Sequence, residues 1–277
     1  MLRPLTLFAP AKVNLALHVL GRRADGYHDL DSIVAFADVG DRLTFTPATD
    51  FAITVSGPFA AALPQVADNI VARSWSAAQT IARRRGRAVP PVSVHLEKNL
   101  PVASGIGGGS ANAAAALKGF LRLAGIGEID AEVTAVGLSI GADVPVCLSG
   151  IACRMQGVGE RIAPISGFAP LPAILVNPLV EVSTPAVFKG LALEKGQSYR
   201  TPIADTRDPA LWRNDLAAPA IALAPAIGEV LQRLTATPGV TRAFMSGSGA
   251  TCVALCRDER VTPGLDPAWW VARTVLS

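Results

Sequence analysis

Charge is scarce in this chain. Only 17% of its 277 residues are Asp, Glu, Lys or Arg, while 50% are hydrophobic. That balance excludes a disordered polypeptide and assures a sizeable core. Neither sign dominates: 25 basic against 22 acidic residues leave a formal +3. The surplus is too small to imply a nucleic-acid or membrane partner, and it does not repel an anionic substrate. The densest basic run, Arg83-Arg84-Arg85-Gly86-Arg87, has no aromatics interleaved. It reads as the solvated end of a helix, with a phosphate-facing arginine as the alternative. Cysteine is sparse too. Cys147, Cys153, Cys252 and Cys256 form no CxxC pair, so neither a disulfide framework nor a zinc spacing is present, and small buried thiols in a reduced, cytoplasmic protein are expected. No uninterrupted apolar run approaches the ~18 residues of a membrane span. Leu216 to Ile227 comes nearest and carries Pro219 and Pro225. Met1 to Thr6 lack the basic region and apolar stretch of a secretory leader. Internal repeats and low-complexity tails are missing as well.

What is present is concentrated in one stretch. Pro101-Val102-Ala103-Ser104-Gly105-Ile106-Gly107-Gly108-Gly109-Ser110-Ala111-Asn112 runs straight into alanine-rich sequence. Glycines lack Cβ atoms and tolerate positive φ, so backbone N–H groups can converge on one anion. The helix that follows adds its unpaired donors and the positive end of its dipole. The combination reads as a phosphate cradle. A Walker A loop is excluded because no lysine follows the glycines, and a Rossmann turn because Ser110 stands at the sixth position from Gly105. Val92 to Glu97 alternates like a strand, so the unit is strand, glycine loop, helix.

Around that unit the chain mixes strands and helices without regular βα alternation, which predicts an α+β fold with largely antiparallel sheets. Leu5 to Leu20 reads as strand with a break near Pro10. Ile33 to Thr46 reads as two runs divided by a turn at Val39-Gly40-Asp41. Asn69 to Arg85 has helical spacing with Asp68 as N-cap, and another helix spans Asp130 to Ile140. Proline and glycine thicken after Gly157, which predicts domains over 1–158 and 159–277. The second half reads strand, helix, helix, strand, strand. Trp269-Trp270 near the end reads as core.

Three further clusters carry chemistry. Lys12 and Asn14 lie two apart in an apolar strand and share a face. Lys12 is either buried with an anionic partner or on an edge in water. In Arg23-Ala24-Asp25-Gly26-Tyr27-His28 a turn signal precedes an aromatic and an imidazole suited to a planar ring. Asp143, in Gly141-Ala142-Asp143-Val144-Pro145, caps a turn or pairs with a cation such as Lys12. A Lys–Asp pair beside a phosphate cradle suggests phosphoryl transfer.

These clusters, the loop and Ser246-Gly247-Ser248-Gly249-Ala250-Thr251-Cys252 occur in the order found in the GHMP kinase superfamily, which the chain resembles from about Ala9 to Cys252. Ala24-Asp25-Gly26-Tyr27-His28 and Gly141-Ala142-Asp143-Val144-Pro145 resemble the members that act on a cytidine diphosphate-linked methylerythritol. The resemblance implies a two-domain fold with an active-site cleft between domains, the N-terminal one binding ATP and the C-terminal one contributing to substrate binding. It implies ATP and Mg²⁺, a small-molecule substrate, no nucleic acid or membrane, and a monomer or homodimer. Lys12 and Asp143 match catalytic residues. Asn14, Tyr27, His28, Thr184 and Phe188 match substrate contacts, with Tyr27 and Phe188 on opposite faces of the cytosine. Asn69, Lys98, residues 101–110 and Asn112 match positions near ATP; no metal ligand is assigned. The chain departs from the family at Ala103-Ser104-Gly105, where three glycines are usual, and at Ala111, where a second serine is usual.

Overall fold

The computed structural model describes residues 4–63 and 69–277. Asp68, expected as a helix cap, lies outside the described residues. The chain packs as two compact units: 1–11, 40–102 and 108–150 form one, and 12–39, 103–107 and 151–277 the other. Two long strands, β1 (Leu5–Arg22) and β2 (His28–Pro47), contribute to both.

The first unit holds β3 (Ala52–Ser56), α1 (Ile70–Arg84), β4 (Val92–Glu97), α2 (Gly108–Leu123), α3 (Ala131–Ile140) and α4 (Val144–Ser149). β4 pairs antiparallel with the end of β2, Arg42 opposite Glu97, and parallel with β3. The strands alternate inward and outward, so Val92, Val94 and Leu96 are buried. Phe45, Phe51, Trp75 and Phe120 form an aromatic cluster between sheet and helices; Phe51 stacks on Trp75 at 4.7 Å and Phe120 meets Phe45 edge-on at 5.2 Å. The basic run closes α1: Arg85 pairs with Asp130 at 2.7 Å and Glu132 at 2.8 Å, and Arg84 with Glu132 at 3.2 Å. These arginines hold α1 to the start of α3.

The second unit holds β5 (Cys153–Gly157), β6 (Arg161–Pro164), β7 (Leu171–Asn177), α5 (Thr184–Lys189), α6 (Ala217–Leu223), α7 (Ala226–Thr235), β8 (Val240–Met245), β9 (Cys252–Cys256) and β10 (Trp270–Leu276). Its strands run β2, β10, β7, β9, β8, with antiparallel neighbours. Val176, Val187, Ile227, Val230, Leu234 and Ala254 are fully buried in its core. All four cysteines are buried and unbridged; burial pushes Cys252 up to about 12 and, opposed by Lys12, Cys153 to about 11.

Three local expectations are corrected. β1 passes Pro10 without a break; β1 pairs with β2 alone among the named strands, and an edge position tolerates a residue without an N–H. Val39-Gly40-Asp41 is no turn but the middle of β2. Gly40 stands there because a Cβ would lie 2.3 Å from the carbonyl oxygen of Ala9. Trp269 and Trp270 are half-buried rather than core; Arg233 lies over the Trp269 ring at 5.0 Å.

Candidate active site

The glycine loop starts where β4 leaves the sheet, and a buried carboxylate organises the exit. Asp41 is 0% exposed. Its Oδ1 accepts from the backbone N–H of Asn99 (2.7 Å) and Leu100 (2.9 Å), and its Oδ2 from Lys98 Nζ (2.7 Å). Lys98 Nζ also donates to the Leu100 carbonyl at 2.7 Å. Burial pulls the Lys98 pKa below its ordinary value, against the opposing pull of Asp41. Lys98 therefore spends two donors on the loop's entry, beside Gly108, where a Cβ would stand 3.4 Å from Nζ.

Helix α2 opens at Gly108 with Gly109, Ser110 and Asn112 in its first residues. Space around Gly109 is open. Asn112 is 2% exposed, and its Oδ1 has no hydrogen-bond partner among the described residues, a rare condition for a buried acceptor. Asn69 caps α1, its Oδ1 accepting from Val71 N at 2.9 Å. Asp143 stands immediately before α4, half-buried, and its side chain does not cap that helix.

In the second unit, Lys12 is 3% exposed, buried rather than on an edge in water. Its Nζ donates to Asn14 Oδ1 at 2.8 Å. Its backbone N–H donates to the Ile106 carbonyl at 2.9 Å, tying strand to loop. Gly107 leaves room for the lysine stem: a Cβ there would lie 3.0 Å from Lys12 Cβ and 3.1 Å from Cε. The Ser246 to Gly249 loop supports the same stretch from behind. Ser246 Oγ donates to the Gly105 carbonyl at 2.9 Å and accepts from Asn14 N at 3.0 Å. Thr251 N–H donates to the Ser104 carbonyl at 3.0 Å. A Cβ on Gly105 would come within 2.5 Å of the Ser246 carbonyl oxygen, so only glycine permits this approach. Ala103 sits at φ +50°, a left-handed conformation that costs a residue with a Cβ.

The aromatic group is partly assembled. His28 and Phe188 lie ring against ring at 4.7 Å. Burial, then Arg22, pushes the His28 pKa down, leaving a neutral imidazole that can donate and accept. Tyr27 is 66% exposed, and Thr184 Oγ1 lies 2.7 Å from Ser248 Oγ. Among the described residues no group of three or more His, Cys, Asp or Glu could hold a metal ion, and no helix is long and apolar enough to cross a membrane. Sequence reasoning passed over Ser32, Asp41 and Ser246 as site residues. The signal for Asp41 was its acidic side chain in an apolar strand; that for Ser246 was the glycine loop it opens.

Residues 69–151 match the family described as GHMP kinases N terminal domain, and residues 205–262 that described as GHMP kinases C terminal. A 4-diphosphocytidyl-2-C-methyl-D-erythritol kinase of Dinoroseobacter shibae is 46% identical, over 99% of this chain and 96% of its own. The chain belongs to the GHMP kinase family. Among solved structures, a 4-(cytidine 5'-diphospho)-2C-methyl-D-erythritol kinase superposes with a TM-score of 0.81 at 30% identity, over 98% of this chain and 99% of that one. The homoserine kinase of Cytophaga hutchinsonii superposes with a TM-score of 0.69 at 16% identity, over 99% and 96%, and so shares the GHMP kinase fold. The α+β architecture with largely antiparallel strands expected from the sequence is the one observed.

Proposed function

We propose that the protein transfers the γ-phosphoryl of ATP to the 2-hydroxyl of 4-diphosphocytidyl-2-C-methyl-D-erythritol, in the mevalonate-independent route to isoprenoid precursors. The observation that carries the reading is a lysine ammonium buried against a glycine-rich phosphate loop, in a chain whose relatives share it end to end under that enzyme name. The substrate hydroxyl oxygen attacks the γ-phosphorus, the bond to the β-phosphate oxygen breaks, and ADP leaves. The hydroxyl proton passes to the Asp143 carboxylate. Lys12 stabilises the negative charge on the transferring phosphoryl oxygens.

The remaining residues bind and orient. Backbone amides of residues 101–110 and the start of α2 hold the phosphates. Lys98 serves the ATP subsite by holding the loop's entry, and Asn69 and Asn112 complete that side. Tyr27 and Phe188 stack on the cytosine, His28 hydrogen-bonds its edge, and Asn14 and Thr184 lie along the polyol. In functional terms residues 1–158 carry the nucleotide contacts and 159–277, through Thr184 and Phe188, a share of the substrate contacts.

Mg²⁺ fits this scheme. It keeps several waters and takes one or two protein oxygens plus substrate phosphates, which suits a site where, among the described residues, no group of three or more His, Cys, Asp or Glu could hold a metal ion and the buried Asn112 Oδ1 lacks a hydrogen-bond partner. Asn112 would hold it, and it would neutralise charge on the β- and γ-phosphates. The reaction runs in the cytoplasm, in keeping with four unbridged thiols.

Phosphorus NMR of the product tests the reading. A phosphomonoester on the substrate's tertiary C2 oxygen, formed with stoichiometric ADP, is expected; a phosphate at C1 or C3, or ADP without a phosphorylated alcohol, would refute it.

A further inference from the structure

Behind Lys12 lies a hydrogen-bond relay whose direction is forced from its far end, and from it we infer that Ser32 is a positioning residue for the Lys12 ammonium. The inference rests on the role given to Lys12 above.

Ser32 lies in β2 and is fully buried. Its Oγ donates to the Ala16 carbonyl at 2.5 Å. A carbonyl can only accept, so the one hydroxyl proton is committed there and Oγ has only lone pairs left to offer. The group 2.8 Å away on Asn14 must therefore be its NH₂. That settles the whole carboxamide: Nδ2 faces Ser32, and Oδ1 faces Lys12 Nζ at 2.8 Å. The flipped amide would set NH₂ against an ammonium, a contact without an acceptor, and oxygen against an oxygen whose proton is already committed, a contact without a donor. This assignment follows from donor and acceptor counts alone and does not depend on telling N from O in the amide.

The backbone of Asn14 is fixed in the same manner. Ser246 Oγ gives its proton to the Gly105 carbonyl and accepts from Asn14 N. Asn14 is thus held at its main chain by Ser246 and at its side chain by Ser32. The lysine stem has Gly107 on one side, and its ammonium has Asn14 Oδ1 as a fixed acceptor. The cation is aimed before any ligand arrives, which is what electrostatic catalysis requires of it. Ser32 does this from inside β2, acting on Lys12 through Asn14.

Ser32→Ala tests the relay. It deletes the hydroxyl, frees the Asn14 amide to turn, and leaves the strand backbone alone. The kcat is expected to fall about tenfold, the scale of one charge-assisted hydrogen bond, with KM for ATP within about twofold of the parent. In an Asn14→Ala background the same change should cost kcat nothing further, because the relay is already cut. An unchanged kcat, or the same loss in both backgrounds, overturns the proposal, since a purely structural serine would act independently of Asn14. A crystal structure of Ser32→Ala reads the point without turnover. Loss of the Asn14 Oδ1–Lys12 Nζ contact supports the relay, and its persistence overturns it. If the unaltered protein phosphorylates no alcohol, the proposed reaction fails, while that crystal structure still decides the role of Ser32.

Discussion

A lysine inside an apolar strand is costly unless something accepts its protons, and this single fact made Lys12 conspicuous in the sequence. Its partner could not be read there. Asn14 was visible as a same-face neighbour, but Ser32 and Ser246 reach it from 18 and 232 residues away, and no local pattern marks such contacts. Asp143→Ala should lower kcat by about 10²–10⁴, the usual contribution of a positioned base, with ATP affinity intact by calorimetry; near-normal turnover would remove Asp143 as the proton acceptor. Tyr27→Leu should raise KM for the cytidine substrate by the equivalent of about 1–3 kcal/mol of stacking and leave KM for ATP alone. An unchanged substrate KM would mean that the exposed ring does not clamp the base.

At the scale of elements, β4, the glycine loop and α2 were legible because strand alternation, loop glycines and alanine-rich helix all agree locally. The turn placed at Gly40 was wrong because glycine serves two purposes, bending a chain and letting two strands meet, and only the structure distinguishes them. Gly119 in α2 poses the same ambiguity. Propensity alone says that Gly119→Ala should stabilise a helix interior by roughly 0.5–1 kcal/mol. Packing says otherwise, for a Cβ there would lie 2.2 Å from the Phe45 ring, and overpacking costs about 1–3 kcal/mol. Chemical denaturation should show a net loss of stability; a gain would mean that the aromatic cluster yields easily.

A second element depends on pH. The largely irregular stretch 198–216 is strapped to β1 and β2: His18 meets the Thr201 carbonyl at 3.4 Å and that of Leu211 at 3.2 Å, and Asp31, paired with Arg154, accepts from Ile203 N at 2.7 Å. Burial, then Arg213, lowers the His18 pKa, so the folded protein favours the neutral ring. The unfolded chain then binds the proton first. Stability from this site is complete above an unfolded pKa of about 6.5 and declines as pH falls below it. Thermal melts at two pH values on either side should show a smaller acid-side loss in His18→Gln than in the parent; an equal loss would mean that the strap is indifferent to His18. Burial acts to raise the Asp31 pKa, but Arg154, the Ile203 amide and His18 together outweigh it and the net shift is down, so its contribution persists until more acidic pH.

For the molecule as a whole, the α+β class could be read from the sequence because irregular alternation of strands and helices leaves few alternatives. The packing units could not, because residues 12–39 and 103–107 join residues beyond 150 through pairings such as Ser32 with Met155 and the Ser246 contact to Gly105, far apart in sequence. The proposed activity is that of a kinase selective for a cytidine diphosphate-linked alcohol. It is tested most directly by ADP release with ATP and Mg²⁺, run in parallel with 4-diphosphocytidyl-2-C-methyl-D-erythritol, homoserine, mevalonate and galactose. Release with the cytidine substrate alone is the expected result. Release with another of these alcohols and none with the cytidine compound would contradict the reading of Tyr27, His28 and Phe188, and release with none would contradict the kinase assignment itself.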